Sequence, residues 1–378
     1  MSTANITMVA VGDLGPNREQ PETIFALNAH LLRDADMAFG QLEGILSEKG
    51  VPNFGLEHLK TASPKNVKAL TFAGFDVLSF GSNRALAYGY DAFFDTINVL
   101  RENGIQVIGA GKNLEETRRA AFVEKNGTRV AFLTYNSIIM EALRHHAAGP
   151  EKAGVNPLRV HTMYEPLGFP EQPGTPVRII TLAYPEDKER MLEDVRAAKS
   201  QADIVVVNHH AGLDYVHATI AMYQKELAKA AIDAGADLVL QEHAHKLRGV
   251  EVFKGKAICY GLGNFALDPT RNEGKRRTPW PLDVRQVYGL GEVEPGWQTY
   301  PWPAESRKTM AVKCTISGKK VSRVALIPCC INQQAQAEIV TRKDGRSAEM
   351  FAYIEDLCRS QGLDTKLSWE GDEVLVGL

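Results

Sequence analysis

Apolar and polar positions along the first half of the chain alternate between two patterns, one typical of buried strands and the other of amphipathic helices. A short apolar run indicates a buried strand, and an apolar residue at every third or fourth position indicates a helix. On these grounds, strands are predicted at residues 6–11, 37–39, 76–80 and 106–108, and helices at 21–33, 65–73 and 92–103. Alternating strands and helices favour sheets covered by layers of helices.

The second half of the chain resumes this alternation after an interruption. Proline and glycine are frequent in residues 137–200, and the rhythm returns only with a helix predicted at 187–200. A hairpin is predicted at 123–135, just before the interruption. After it, strands are predicted at 204–207, 236–243, 310–316 and 321–327, a second hairpin at 250–263, and helices at 218–234 and 348–361. We predict one domain at 1–335, with a variable insert at about 137–200, and a C-terminal helix and tail at 336–378 packed on the same domain.

Residues 266–305 are rich in proline, glycine, tryptophan and tyrosine, and we predict a long ordered loop there. Long loops in compact domains are often functional. Two interpretations stay open, because the loop either closes over a site and excludes water or packs a small core of its own. The aromatic side chains concerned are Trp280, Tyr288, Trp297, Tyr300 and Trp302.

Composition narrows the class of protein. The chain has 378 residues, of which 44% are hydrophobic and 24% charged, and its net charge is -3. This balance is ordinary for a globular protein and gives no electrostatic reason to expect a nucleic-acid or membrane partner. The N-terminus has no signal-peptide pattern, there is no apolar run long enough to span a bilayer, and five cysteines are scattered without a CxxC pair. We therefore expect a cytoplasmic protein. Whether the chain forms a homo-oligomer stays open.

Residues that bind metals stand at the ends of several predicted strands. They are Asp13, Glu43, Asn83, His210, His243 and His245. In folds of alternating strands and helices, active sites gather beyond the carboxyl ends of the strands. Each residue alone has an ordinary structural explanation, as a turn cap, a solvated charge, a left-handed turn residue or a core histidine. Together, two carboxylates, an amide and three imidazoles suit two divalent ions, with His243 and His245 expected to point the same way from an extended segment.

Several motifs resemble the CapA-like (poly-γ-glutamate capsule synthesis) family of the calcineurin-like metallophosphoesterase superfamily. The matching segments are Val11-Gly12-Asp13, Gly40-Gln41-Leu42-Glu43-Gly44, 74–77, 82–89, 104–105, 109–114, His210-Ala211-Gly212-Leu213-Asp214-Tyr215, His243-Ala244-His245 and Tyr260-Gly261-Leu262-Gly263-Asn264-Phe265. The resemblance covers most of the chain and is weakest at about 137–200 and 266–305. It implies an α/β fold, a layered α/β/β/α metallophosphoesterase-like sandwich with mixed sheets.

The resemblance also implies a ligand set for two divalent metal ions, of which Mn, Zn, Fe and Co all suit mixed nitrogen and oxygen donors. Asp13 and His245 would hold one ion, and Asn83, His210 and His243 the other. Glu43 would bridge the two ions. Asn264 matches a family asparagine close to the site, where we expect it to support the site or to contact substrate.

The chain departs from the family pattern at one position that matters for chemistry. The family has Asn-Asn-His where this chain has Ser82-Asn83-Arg84. The superfamily histidine stabilises the transition state or protonates the leaving group. An arginine does not act as an acid near neutral pH, but it holds a carboxylate or phosphate through two hydrogen bonds. Arg84 is therefore expected to bind substrate, and His209 and Asp214 are candidate replacement acids.

The resulting hypothesis is a dinuclear metal-dependent hydrolase. A metal-bridging hydroxide would attack an amide, lactam or ester of a small carboxylated substrate, with Arg84 stabilising the developing charge. Two alternatives stay open. One is a phosphoesterase, as elsewhere in the superfamily. The other is a non-catalytic accessory of polymer synthesis or export, or a binding protein.

Overall fold

The computed structural model describes residues 5–53, 56, 59–139, 146–168, 172–269 and 293–378. Within these residues, ten strands form the larger sheet around a parallel core. The core strands lie in the order β1 (Ile6–Gly15), β2 (Met37–Leu42), β3 (Val77–Ser79) and β4 (Gln106–Ile108). Antiparallel strands extend the other side of β1; they are β16 (Lys308–Ser317), β17 (Lys320–Ile331), β18 (Ala337–Ile339), β19 (Leu367–Glu370) and β20 (Glu373–Val376). The short β15 (Asn264–Leu267) runs parallel to the end of β1.

The second sheet has six strands among the residues described. Its parallel core is β7 (Thr128–Asn136), β11 (Ile204–Ala211), β12 (Leu238–His243) and β14 (Lys256–Cys259). Antiparallel strands close its edges, β6 (Ala121–Lys125) on one side and β13 (Val250–Phe253) on the other. Two further pairs lie outside both sheets, β5 (Ala110–Gly111) with β8 (Gly154–Val155), and β9 (Val160–Pro166) with β10 (Val177–Ala183).

Helices cover the outer faces of the sheets. They are α1 (Ala29–Arg33), α2 (Val67–Ala73), α3 (Gly89–Glu102), α4 (Leu114–Thr117), α5 (Pro185–Lys199), α6 (Met222–Ala234) and α7 (Ser347–Ser360), with 3-10 turns at Pro21–Phe25, Pro64–Asn66 and Ala304–Arg307. Of the helices in the described ranges, none has the length and apolarity to cross a membrane.

The two sheets pack face to face, and alternation along the strands explains why. In β1, Met8 and Ala10 are buried in the core shared with the second sheet, whereas Val9 and Val11 are buried against the helices on the other face. Successive strand residues point to opposite faces, so a strand that is apolar throughout can be covered on both. Phe39 of β2 stacks on Phe132 of β7, with ring centroids 5.5 Å apart. The predicted layered α/β/β/α sandwich with mixed sheets is confirmed.

Three segments differ from their predictions for local reasons. The helix predicted at 21–33 is interrupted, because the buried Asn28 leaves helical geometry (φ -139°) and donates to the Ala337 carbonyl at 2.7 Å. The helix predicted at 218–234 begins only at Met222, since Ala218 has φ 51° and cannot be helical. The predicted tail after residue 361 contains the β19–β20 hairpin, which joins β17 of the larger sheet. The domain boundary at 335 stays a prediction.

Candidate metal centre

The larger sheet delivers three of the candidate ligands at the carboxyl ends of its parallel strands. Asp13 lies at the end of β1, where its backbone N–H donates to the Gly263 carbonyl at 3.0 Å. Glu43 directly follows β2, and its N–H donates to the Leu14 carbonyl at 2.7 Å. Asn83 lies in the turn after β3. Asp13 and Glu43 are buried, whereas Asn83 is half-buried.

The second sheet delivers three histidines. His210 lies in β11, and β12 ends at His243, two residues before His245. The backbone of His243 has φ 98° and that of His245 has φ 53°. The expectation of an extended His243–His245 segment is therefore wrong, since the pair converges through a left-handed turn. Non-glycine residues rarely adopt this conformation, and such strain is concentrated at functional sites.

The structure brings all six predicted ligands into one volume between the sheets. Donor atoms of Asp13, Glu43 and His210 all lie within 4.8 Å of one another. Asn83 Oδ1 is 3.1 Å from His210 Nε2, and His245 Nδ1 is 3.6 Å from Asp13 Oδ2. The rings of His210 and His243 have centroids 4.8 Å apart. Asp13 thus lies near His245 and Asn83 near His210, while Glu43 Oε2 is 3.5 Å from His210 Nε2. The division of these ligands between two ions stays a prediction.

Burial controls the protonation of these groups. It raises the pKa of Asp13 well above its usual value, and the nearby charges of Glu43 and Glu242 add to the rise. It also raises the pKa of Glu43 to about 7, against the opposing charge of Arg84. The pKa of each histidine falls for the same reason, to about 3 for His245. The imidazoles are consequently neutral at physiological pH, as metal ligation requires.

The residues fit a divalent metal by a second criterion, the buried polar atoms that lack hydrogen bonds. Within the part of the chain described, these atoms include Asp13 Oδ1, Asp214 Oδ1 and His243 Nδ1. Buried polar atoms without partners are rare and costly. Their convergence on a group of carboxylates and neutral imidazoles is what a cation would stabilise.

Arg84 reaches the same group of side chains. Its Nε lies 3.0 Å from Glu43 Oε1, and the arginine is only 9% exposed. The position that holds a histidine in the family pattern therefore places a permanent positive charge against the carboxylate expected to bridge the metals.

The two predicted replacement acids lie in different places. Asp214 is at the centre, where its Oδ1 is 3.1 Å from His243 Nε2. His209 is on the other face of β11, with Nε2 2.7 Å from Ser137 Oγ and its ring against Tyr223. The prediction that His209 acts as an acid at the site is not supported, because adjacent strand residues point to opposite faces. Burial also lowers the pKa of His209 to about 3.

Asn264 lies beside the centre, as expected. Its Oδ1 is 2.8 Å from His245 Nδ1, and its Nδ2 donates to Tyr300 Oη at 2.7 Å. Tyr300 belongs to the aromatic loop, is fully buried and donates to the Ser306 carbonyl. This burial supports the packing interpretation for Tyr300, while Trp280 and Tyr288 lie outside the described residues.

Two residues of the centre were missed from the sequence. Glu242 is buried with its Oε1 3.5 Å from His210 Nδ1, and it accepts a hydrogen bond from Asn208 at 3.1 Å. Parallel pairing sets Glu242 opposite His210, a register that the sequence alone does not show. His146 is fully buried, with its Nδ1 3.1 Å from the Asn83 carbonyl oxygen. No sequence pattern marked it.

Comparison of the sequence with known protein families identifies the family of this chain. The model of the family described as "Bacterial capsule synthesis protein PGA_cap" matches residues 7–269. The chain belongs to the PGA_cap family. The predicted CapA-like resemblance is thereby confirmed.

Named relatives of this PGA_cap chain come from several bacteria. It is 29% identical to "Capsule biosynthesis protein CapA" of Bacillus anthracis, over 70% of this chain and 60% of that protein. It is also 29% identical to "PGA biosynthesis protein CapA" of Bacillus subtilis, over 65% of this chain and 57% of that protein. The chain thus spans about 60% of the length of these curated relatives. Among solved structures it is similar to the calcineurin-like phosphoesterase YfkN of Bacillus subtilis, with a TM-score of 0.41 and 12% identity over 94% of this chain and 97% of that one.

Proposed function

We propose that this chain is a metal-dependent hydrolase that cleaves an amide, lactam or ester bond in a small carboxylated substrate. The observation that carries the proposal is the convergence of Asp13, Glu43 and His210, whose donor atoms lie within 4.8 Å of one another in a buried volume. Asn83, His243 and His245 complete the proposed ligand set. A cluster of this composition suits two Mn, Zn, Fe or Co ions.

Bound ions would supply an activated water molecule and polarise the oxygen of the scissile group. The protein's own contribution is to hold the donors rigidly and to exclude bulk water. Asn264 orients His245, and Glu242 lies beside the second nitrogen of His210. Such contacts behind the ligands fix the ring orientation and the tautomer of each imidazole.

Arg84 supports a substrate that carries an anion. Since its Nε is 3.0 Å from Glu43 Oε1, an anion held by the guanidinium would lie directly beside the metal centre. Arginine binds carboxylates and phosphates in a fixed forked geometry. The names of the relatives, which refer to capsule and PGA biosynthesis, favour a γ-glutamyl carboxylate over a phosphate.

A panel of chromogenic substrates with matched leaving groups tests the proposal. The panel contains γ-glutamyl amides and esters and the corresponding phosphoesters, each assayed with added Mn²⁺ or Zn²⁺. We expect turnover of the γ-glutamyl compounds, and loss of that turnover in Glu43→Gln. Turnover of phosphoesters alone would establish the phosphoesterase alternative and remove the preference for carboxylated substrates.

A non-catalytic accessory role is the second candidate. A Mycobacterium tuberculosis relative, 30% identical over 54% of this chain and 48% of its own length, is named a probable polyglutamine synthesis accessory protein. The Arg84–Glu43 ion pair also favours this alternative, because it places a cation where the family pattern has a histidine. No turnover of any compound by metal-loaded protein would support it.

A further inference from the structure

Asp214 approaches a histidine nitrogen without hydrogen-bonding to it. Its Oδ1 lies 3.1 Å from His243 Nε2. The same oxygen is buried and has no hydrogen-bond partner among the residues described. Two donors bound to one ion at about 2.0–2.2 Å stand roughly 3 Å apart. The separation of these two atoms is therefore one that two ligands of a single metal ion can have, and no hydrogen bond occupies the oxygen.

The loop that carries Asp214 is held in place on both sides of this residue. Arg248, which is 1% exposed, donates to the Leu213 carbonyl at 2.9 Å and to the Thr219 carbonyl at 3.1 Å. The N–H of Tyr215 donates to the Ala244 carbonyl at 3.2 Å, which ties the loop to the turn between His243 and His245. Tyr215 has φ 58°, so the loop is held in a strained conformation. The fold thus fixes Asp214 relative to His243.

The charge of Asp214 needs compensation. Its half-buried side chain, 30% exposed, adds a fourth carboxylate to a centre that already contains the buried Asp13, Glu43 and Glu242. Arg84 contacts Glu43. Arg248 interacts with Asp214 through its charge, but its hydrogen bonds described above go to backbone carbonyls and not to this carboxylate. Buried carboxylates are stable when they are paired or bound to metal. A divalent cation between Asp214 and His243 would provide this compensation.

We propose that Asp214 is a ligand of the metal held by Asn83, His210 and His243. This inference rests on the proposed metal-dependent function. It replaces the sequence prediction of Asp214 as an acid, because a carboxylate coordinated to a metal has no proton to donate at neutral pH. The set of protein ligands then includes three carboxylates, Asp13, Glu43 and Asp214.

Cobalt binding tests the assignment without any assay of activity. The 378-residue chain is stripped of metal and titrated with Co²⁺, whose visible absorption depends on the number and type of its ligands. Asp214→Ala removes the donor, and Asp214→Glu retains a carboxylate. Asp233→Ala is the matched control, because Asp233 lies on the exposed side of α6 and pairs with Lys254.

We expect Asp214→Ala to weaken Co²⁺ binding at one site by at least ten- to a hundredfold, the loss typical of even indirect supporting residues. Its absorption spectrum should change, Asp214→Glu should recover part of the affinity, and Asp233→Ala should match the wild type. Melting temperatures of the metal-free variants show whether the fold is kept. If Asp214→Ala is unfolded, Asp214→Asn, which has the same shape, takes its place.

An Asp214→Ala spectrum identical to that of the wild type would overturn the assignment, whether or not the affinity changed, since the ligand set would be the same. In that case, cobalt bound by the wild type would leave the proposed function intact. No cobalt bound by the wild type would overturn the assignment and the proposed function together.

Discussion

Single side chains at the centre are held in states that they would not adopt in water. Burial raises the pKa of Asp13 and of Glu43, whereas it lowers the pKa of His210 and His245. A proton therefore competes with a metal for the carboxylates but not for the imidazoles. Because of this competition, the affinity for metal should depend on pH.

We predict that the affinity of the metal-free protein for Mn²⁺ increases by roughly tenfold between pH 6 and pH 7.5, because burial raises the pKa of Glu43 to about 7. The sign follows from the raised pKa, since the carboxyl must lose its proton before it binds the metal. Calorimetric titrations at the two pH values measure the change. An affinity that is constant over this range, or that falls with rising pH, would count against a protonated Glu43.

Arg84 provides a second prediction for a single residue. Hydrogen bonds to charged groups contribute about 1.5–3 kcal/mol, so Arg84→Gln should raise KM for a carboxylated substrate about ten- to a hundredfold, with a smaller change in kcat. Steady-state kinetics on that substrate and on its uncharged amide analogue separate binding from chemistry. An equal rise in KM for both compounds would show that Arg84 does not recognise the carboxylate.

For single residues, the sequence-based prediction failed mainly in deciding which face of a strand a side chain occupies. The chemical types at strand ends identified Asp13, Glu43, Asn83, His210, His243 and His245, all of which lie at the centre. The neighbours His209 and Glu242 were misassigned or missed, because sequence alone does not show which face of a strand turns toward the other sheet. His146 was missed because it comes from an irregular segment without a pattern.

At the level of secondary structure, the ends of the strands position the ligands through close contacts between backbone atoms. A Cβ atom added to Gly12 would lie 2.0 Å from the Gly263 carbonyl oxygen. This close approach lets the next residue, Asp13, donate its N–H to that same carbonyl. The apolar runs were enough to predict the strands themselves. The contact between Asp13 and Gly263, however, joins residues 250 positions apart, and no spacing of residues along the sequence predicts it.

We predict that Gly12→Ala lowers the free energy of unfolding by about 1–3 kcal/mol or more, where 1–3 kcal/mol is the usual cost of overpacking. The reason is that the backbone carbonyl of Gly263 cannot easily move aside. The denaturant midpoint measures this loss. Gly345→Ala is the control, since a Cβ there meets no atom within 4 Å. Equal midpoints for the two variants would mean that the β1–β15 contact is looser than the structure shows.

The whole molecule joins two sheets, and each contributes three predicted ligands to the centre. The apolar contact between the sheets includes Phe39 stacked on Phe132. Phe132→Ala should cost about 3–5 kcal/mol of unfolding free energy. Phe122→Ala, on the half-buried face of the same hairpin, should cost less. Thermal or denaturant unfolding compares them, and similar losses would place the main core elsewhere.

The proposed metal centre is tested most directly by the metal content of the purified wild type beside His243→Ala, measured by elemental analysis after reconstitution with Mn²⁺ or Zn²⁺. His243 is chosen because its ring lies near both His210 and His245. We predict about two equivalents of metal per chain in the wild type and a clear loss in the variant. Little metal in both proteins would contradict it.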